Sequence, residues 1–266
     1  MSFCIACTGA NGKVGKLLTE KYGVVPIKAD VTNVTILAKE IEKITPDLVI
    51  HLACKSNVDW VEKNYQEAVD INFGGTKNVA KITNSMKIGM VLLSSDHIFD
   101  GKKGNYKENY KFLSGFPYWK YNKPVNCYGL TKLAAEGIRF TYKNMKIVRT
   151  SRLFSTIHWK STIESNYQPI FIKRSFMYLP HFVANLKLYV DRFYQMPEIL
   201  NLSGSEIVSY YEFEKNCLEN KKVFPRKKDI GGTPRPYKGG LDISLSTRLG
   251  FPQYSYLDGI KELKNV

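Results

Sequence analysis

Short apolar runs alternate with amphipathic stretches over the first 150 residues. FCIACTG (3–9), GVVPIKAD (23–30), DLVIHLA (47–53), GMVLLSS (89–95) and KIVRTS (146–151) read as strands. Between them, GKVGKLLTEKY (12–22), TILAKEIEKI (35–44) and residues 124–142 repeat apolar positions at helical spacing. Residues 60–84 read as a long helical region broken near Gly74 and Gly75. This alternation predicts an α/β chain, a parallel sheet covered by helices. Beyond residue 152 the pattern weakens. HFVANLKLYVDRF (181–193), with Phe182, Leu186 and Val190 in line, and IVSYYEFEKNCLEN (207–220) read as helices. The reading places one domain over 1–152 and a smaller C-terminal region over 153–266, with about 170–195 packing back on the first.

The first strand runs into TGANGKVGKLL, with Gly9, Gly12 and Gly15. Glycine serves where a backbone must turn tightly and approach a pyrophosphate with no Cβ in the way. The helix that follows then offers unpaired N–H groups to the phosphate charge. A glycine triplet alone is weak, and an ordinary strand–helix turn is the plain alternative. Set between an N-terminal strand and a helix, it predicts a Rossmann-type doubly wound sheet that binds a dinucleotide. The second strand ends in Lys28, with Asp30 arriving earlier than the usual ribose-binding acid. A cation there suits a 2′-phosphate, so NADPH is expected, with NADH as the alternative; a solvated strand-end lysine is the bland reading of Lys28.

The chain has 266 residues and is 44% hydrophobic, enough to bury a full core. It contains no apolar run near the roughly 18–20 residues that cross a bilayer, and MSFCIACTGANG does not read as a secretory leader. Cys4, Cys7, Cys54, Cys127 and Cys217 are odd in number and lack disulfide or zinc spacing. Cys4 and Cys7 form a CxxC inside an apolar run and read as buried thiols, with no metal site expected. A cytoplasmic, reducing compartment follows as the expectation. The net charge of +15 is shared between the two halves of the sequence. That argues against a nucleic-acid face and for a lysine-rich surface or a taste for anionic small molecules. Its one dense cluster is KKVFPRKK (221–228).

Three tyrosines precede a lysine by four residues: Tyr128/Lys132, Tyr142/Lys146 and Tyr211/Lys215. With 17 Tyr and 39 Lys and Arg, coincidence is a real competitor. Residues four apart share a helix face. Tyr142/Lys146 straddles a turn, and Tyr211/Lys215 lies outside the sheet region. Only Tyr128/Lys132 combines helical spacing with the sheet domain, its helix burying Leu130, Leu133, Ala134 and Ile138. A lysine cation about 4–5 Å from a phenol, at an effective dielectric of about 20, favours phenolate by up to about 4 kcal/mol. That would bring a pKa of about 10 towards neutrality. Ser95, closing strand 89–95 at the sheet's carboxyl edge, is placed to bond a substrate oxygen.

These blocks together resemble the extended short-chain dehydrogenase/reductases, and within them the dTDP-4-dehydrorhamnose reductase (RmlD-like) family. PDLVIHLACKSNVDWVEKN (46–64), INFGGTKNVA (71–80), SSDHIFDGKKGNYKEN (94–109), NCYGLTKLAAE (126–136), IVRTSRLF (147–154) and RPYKGGLDISLSTRLGF (235–251) follow the family's segments in order. The resemblance implies catalysis by Ser95, Tyr128 and Lys132. It implies cofactor contacts from Gly9, Asn11, Gly12, Lys13, Val14 and Gly15, from Asp30 and Val31 beside the adenine, and from Ala53 and Cys54 beside the nicotinamide ribose. Asn72 would order the site. Val58, Asp96, His97, Arg152 and Arg235 fall where the family contacts its substrate, a nucleotide-diphosphate-linked 4-keto-6-deoxyhexose.

His97 stands where the family has Tyr, and Arg152 where it has Trp, so the sugar and the base (dTDP or UDP) are open. Arg152, Arg174 and the 221–238 cluster would suit a diphosphate. A homodimer is one expectation for the assembly, with no nucleic-acid or membrane partner. Two rivals share the fold: a non-catalytic regulatory subunit, as in the β subunit of methionine adenosyltransferase, and a nucleotide-sugar epimerase or dehydratase.

Overall fold

The computed structural model describes residues 3–109, 123–155, 167–217, 224–226 and 232–265. The first apolar run forms β1 (Ile5–Thr8), buried along its whole length. There follow α1 (Lys13–Tyr22), β2 (Val25–Ile27), α2 (Val34–Ile44), β3 (Leu48–His51), α3 (Val58–Lys63) and α4 (Tyr65–Val69). A π-helical turn over Asp70–Gly75 leads into α5 (Thr76–Ser85), then β4 (Gly89–Ser95), α6 (Cys127–Gly137), β5 (Met145–Thr150) and β6 (Arg152–Phe154). The remaining described elements are β7 (Tyr167–Pro169), β8 (Lys173–Tyr178), α7 (Leu179–Asp191), β9 (Ile199–Asn201), β10 (Ile207–Ser209), α8 (Tyr210–Cys217), β11 (Phe224–Arg226), α9 (Ser244–Arg248) and α10 (Tyr256–Lys264).

Six strands form one sheet in the order β2-β1-β3-β4-β5-β9. β1 lies parallel to β2 on one side and to β3 on the other, with Thr8 level with both Ile27 and His51. β3 in turn runs parallel to β4. The chain thus leaves β1 in one direction and returns on its other flank, the reversal that opens a ligand crevice at the strands' carboxyl ends. Apolar side chains such as Ile41, Val49, Val79 and Met90 fill the core against this sheet. The expected doubly wound α/β fold is present.

The described chain divides into two compact units, one of 1–94, 127–148 and 186–200, the other of 95–126, 149–185 and 201–266. In the second, β10, β8 and β6 form a small sheet. Phe176 stacks on Phe213 there at 4.0 Å between ring centroids. Ser209 and Glu212 cap α8 reciprocally, Glu212 Oε2 accepting from Ser209 N and Oγ and Glu212 N donating to Ser209 Oγ. β11 pairs in parallel with β7. Apart from residues 224–226, the 221–228 basic cluster lies outside the described residues.

Three sequence expectations are corrected here. Residues 207–220 do not form one helix: Ile207–Ser209 pairs antiparallel with β8, and the Ser209 cap starts α8 one residue later. Cys7 is buried in β1, but Cys4 lies before the strand and is partly exposed. The buried face of α6 consists of Gly129, Thr131, Lys132, Ala135 and Glu136, while Leu130 and Leu133 are half-buried and Ala134 is exposed. A lysine occupies that inner face because its ammonium finds a carbonyl there, as described below.

Gly259 lets α10 lie against the second unit's aromatic cluster. A Cβ added to it would sit 2.3 Å from Tyr178 Cβ and 2.8 Å from Phe154 Cζ. Gly137 has no such neighbour within 4 Å and a right-handed helical φ of −60°. Gly259→Ala is expected to lower urea stability by about 1–3 kcal/mol through overpacking. Gly137→Ala should leave it unchanged or raise it by about 0.4–1 kcal/mol. Equal midpoints for the two variants would contradict the packing described.

Candidate active site

The glycine loop follows from β1 ending in a tight turn. Gly9 takes φ +67°, and its carbonyl accepts the Gly12 N–H at 2.9 Å. A Cβ at Gly9 would lie 2.6 Å from Ala53 N, and one at Gly15 would lie 2.6 Å from Ala10 Cα. No side chain can enter either place, so the loop's backbone is the surface a ligand would meet. α1 begins at Gly12 with no side-chain cap and no acidic residue in its first turn. Its first N–H groups therefore suit a phosphate, and the residues present fit a dinucleotide. Asn11, Gly12 and Lys13 are exposed, and Val14 is half-buried.

At the end of β2, Lys28 is exposed while its N–H and that of Ala29 bond the Glu40 carboxylate at 2.9 and 2.6 Å. The Asp30 carboxyl is held below the usual carboxylate range by the Thr32 N–H and hydroxyl. Val31 is buried against the site of Gly75, leaving Asp30 as the exposed member of that pair.

Lys132 is 4% exposed, and its Nζ donates to Leu93 O of β4 at 2.6 Å. Tyr128, one turn earlier, is half-buried and hydrogen-bonded to the Cys54 side chain. Burial pushes the Cys54 thiol up, opposed by the Lys132 charge and the Tyr128 hydroxyl. Ala53 and Cys54 follow β3 after Leu52, with Ala53 N donating to Thr8 Oγ1 at 3.3 Å. Asn72, in the π turn, braces this group. Its Oδ1 accepts Lys55 N at 2.8 Å, and its Nδ2 donates to Lys55 O at 3.1 Å and Thr131 Oγ1 at 3.0 Å. Thr131 donates to Tyr128 O at 2.8 Å. The first unit therefore brings together Tyr128, Lys132, Cys54 and Asn72. Val58 opens α3, half-buried.

The other two Tyr/Lys pairs differ. Lys146 Nζ donates to Phe193 O and Met196 O, both at 2.6 Å, as a structural tie. Lys215 is exposed on α8.

In the second unit, Ser95 caps the short turn 96–98, its Oγ accepting His97 N at 3.3 Å and lying 3.4 Å from Asp96 Oδ1. Asp96 is buried, its Oδ2 accepting from Ser151 Oγ at 2.6 Å and Gly240 N at 3.1 Å, with Arg174 Nε at 3.6 Å. Despite its burial, those groups hold its carboxyl low, Arg174 foremost. Arg174, expected to suit a diphosphate, is itself buried and donates to Lys173 O and Pro236 O. Its guanidinium is engaged by these carbonyls and by Asp96. His97 Nδ1 lies 3.2 Å from Asn126 Nδ2, and Arg235 Nη1 donates to Thr233 O at 2.7 Å. The half-buried Arg152 answers a different acid: burial pushes the Glu214 carboxyl up, and the Arg152 charge opposes that rise.

Sequence reasoning missed His51. Burial first, and then the Lys132 charge, push its imidazole down to about 3. The signal available was a histidine inside the apolar run DLVIHLA. Unfolded histidine takes a proton near 6.5, so between that pH and about 3 the unfolded chain binds the extra proton. Folding stability is full above pH 6.5 and is lost as pH falls, by up to about 1.4 kcal/mol per pH unit from this group. Urea midpoints at pH 7, 6 and 5 should fall for the wild type and fall less steeply for His51→Asn. Parallel slopes would contradict a neutral His51.

Among the described residues, no helix is long and apolar enough to cross a membrane. The family model described as RmlD substrate binding domain matches residues 3–172. Methionine adenosyltransferase 2 subunit beta of Xenopus tropicalis is 26% identical over 248 residues, covering 84% of this chain and 71% of that protein. The spore coat polysaccharide biosynthesis protein SpsK of Bacillus subtilis strain 168 is 26% identical over 280 residues, covering 97% and 95%. The crystal structure of dTDP-4-dehydrorhamnose reductase from Bacillus anthracis str. Ames in complex with NADP is similar with a TM-score of 0.83 at 25% identity, covering 99% and 98%. Matched over more than half its length, and carrying the glycine loop and the Tyr128/Lys132 helix, the chain belongs to the RmlD family.

Proposed function

We propose that the protein is an NADPH-dependent reductase of a nucleotide-linked 4-keto-6-deoxyhexose, carried on dTDP or UDP. The observation that carries this reading is the buried Lys132 ammonium, fixed on Leu93 O one helical turn from the half-buried Tyr128. The Bacillus anthracis reductase, similar along nearly the whole chain and bound to NADP, supports the choice of cofactor. When bound, NADPH supplies the hydride for C4 of the sugar. The glycine loop and the open N-terminus of α1 would hold its pyrophosphate, with Asp30 near the adenine and Lys28 suited to a 2′-phosphate.

Tyr128 then gives its phenolic proton to the oxygen that becomes the alcohol. The Lys132 cation stabilises the phenolate left behind, and its tether to Leu93 keeps that charge in place. Ser95 retains the role of hydroxyl donor to the ketone oxygen, and Val58, Asp96, His97, Arg152 and Arg235 remain the proposed substrate residues. The proposal includes a cytoplasmic location. The likeness to methionine adenosyltransferase 2 subunit beta favours a second reading, a regulatory subunit that binds the dinucleotide without turning it over.

Tyr128→Phe is expected to cut kcat by about 10²–10⁴, the usual share of general acid catalysis, with NADPH affinity nearly intact. Lys132→Met should lose both rate and affinity. Turnover by Tyr128→Phe at the wild-type rate would overturn the mechanism. No net NADPH loss with dTDP- or UDP-4-keto-6-deoxy sugars, with methionine adenosyltransferase activity altered on mixing, would favour the regulatory reading. Sugar conversion without net NADPH loss would point to an epimerase or dehydratase.

A further inference from the structure

His51 sits at the end of β3, 1% exposed, with a hydroxyl at each ring nitrogen. Thr8 Oγ1 lies 2.7 Å from Nδ1, and Thr76 Oγ1 lies 3.0 Å from Nε2. Thr8 Oγ1 already receives the N–H groups of Leu52 and Ala53 at 3.2 and 3.3 Å, and these groups can only donate. The hydroxyl proton of Thr8 is therefore directed at Nδ1, which must accept. Thr76 gives its own proton to Asn72 O at 2.5 Å, so its oxygen is open to a donor. Nε2 therefore carries the ring proton. An imidazolium would face Thr8 with a third donor and leave the threonine proton nowhere to go.

The run continues beyond the imidazole. Thr76 ends on the backbone carbonyl of Asn72, whose side chain bonds Thr131, whose hydroxyl bonds Tyr128 O. At the other end, Thr8 is the residue before Gly9. A series of hydrogen bonds, relayed covalently through Asn72, thus joins the strand that carries the glycine loop to the turn that carries Tyr128.

We propose that His51 is a positioning residue: its single neutral tautomer, held between Thr8 and Thr76, sets the spacing between the glycine loop and the Tyr128 turn. This rests on the dinucleotide and Tyr128 readings above. His51 touches neither substrate nor cofactor; it acts through the two threonines. A leucine would fill the space yet leave both hydroxyls without their partner. Thr76→Val keeps the shape and removes both the partner of Nε2 and the bond to Asn72 O.

The test compares wild type, His51→Leu and Thr76→Val for kcat per folded molecule at saturating NADPH, its pH profile, and NADPH Kd by fluorescence. Nitrogen-15 spectra of the histidines are taken alongside. The expected result is a loss of kcat of about tenfold in each variant, the size of one hydrogen bond, with the alkaline limb of the pH profile displaced. His51 in the wild type should show a protonated Nε2 and a bare Nδ1. A merely structural role would lower the melting temperature and leave kcat per folded molecule and the pH profile unchanged. That result in Thr76→Val, or a protonated Nδ1 in the wild type, overturns the proposal. If His51→Leu does not fold, Thr76→Val and the spectra still decide it. Wild-type protein that binds no NADPH, or binds it without turnover, fails the underlying reading instead, and the tautomer is read independently of both.

Discussion

A lysine ammonium buried on a single backbone carbonyl organises the first unit. Taking a charge out of water is costly unless it is paired or hydrogen-bonded, and Lys132 meets that condition through Leu93 O at 2.6 Å. The consequence is a cation that cannot wander. Its field reaches the groups around it, adding to burial in holding the His51 imidazole neutral and opposing the rise that burial gives the Cys54 thiol. Tyr128 lies one turn away on the same helix. Thr131 of the same helix donates to Tyr128 O and is itself bonded by Asn72, so Lys132 is held directly, and Tyr128 indirectly, by a group outside α6.

The second unit shows a different use of charge. Asp96 and Arg174, both buried, are surrounded by protein donors and carbonyls from Ser151, Gly240, Lys173 and Pro236. Removing either would strand the other in a low-dielectric interior. Gly239 is required beside them, since a Cβ there would lie 2.1 Å from Arg174 Nη1. His97, next to Asp96, is held well below its ordinary range by burial and by the Arg174 charge, with Asp96 opposing. The polar residues that flank Ser95 are thus ordered by the protein's own groups.

Much of the fold was legible because strands and helices alternate with clean breaks. GMVLLSS matches β4 residue for residue, and the predicted break near Gly74 and Gly75 falls in the π turn. What was not legible depended on partners far along the chain. Periodicity assigned Leu130, Leu133 and Ala134 to the core because it cannot see that a carbonyl 39 residues earlier makes burial of Lys132 favourable. It merged β10 with α8 because aromatic residues serve both, although Ser209 and Glu212 carried a capping signature. His51 looked like an interruption in a strand; its role appears only when Thr8 and Thr76 are seen on either side of the ring. The glycine loop, by contrast, is a local motif with a local cause, and the strand, turn and helix expected around Gly9, Gly12 and Gly15 are present.

The central claim is that a phenol held beside a fixed cation protonates a ketone while hydride arrives from a bound nicotinamide. The most direct measurement uses NADPH deuterated at the transferable C4 position, with dTDP- and UDP-4-keto-6-deoxyhexoses, and weighs the sugar product by mass spectrometry. The account predicts one deuterium at sugar C4 for each NADPH oxidised. Unlabelled sugar and intact NADPH, under conditions where the cofactor is demonstrably bound, would contradict it.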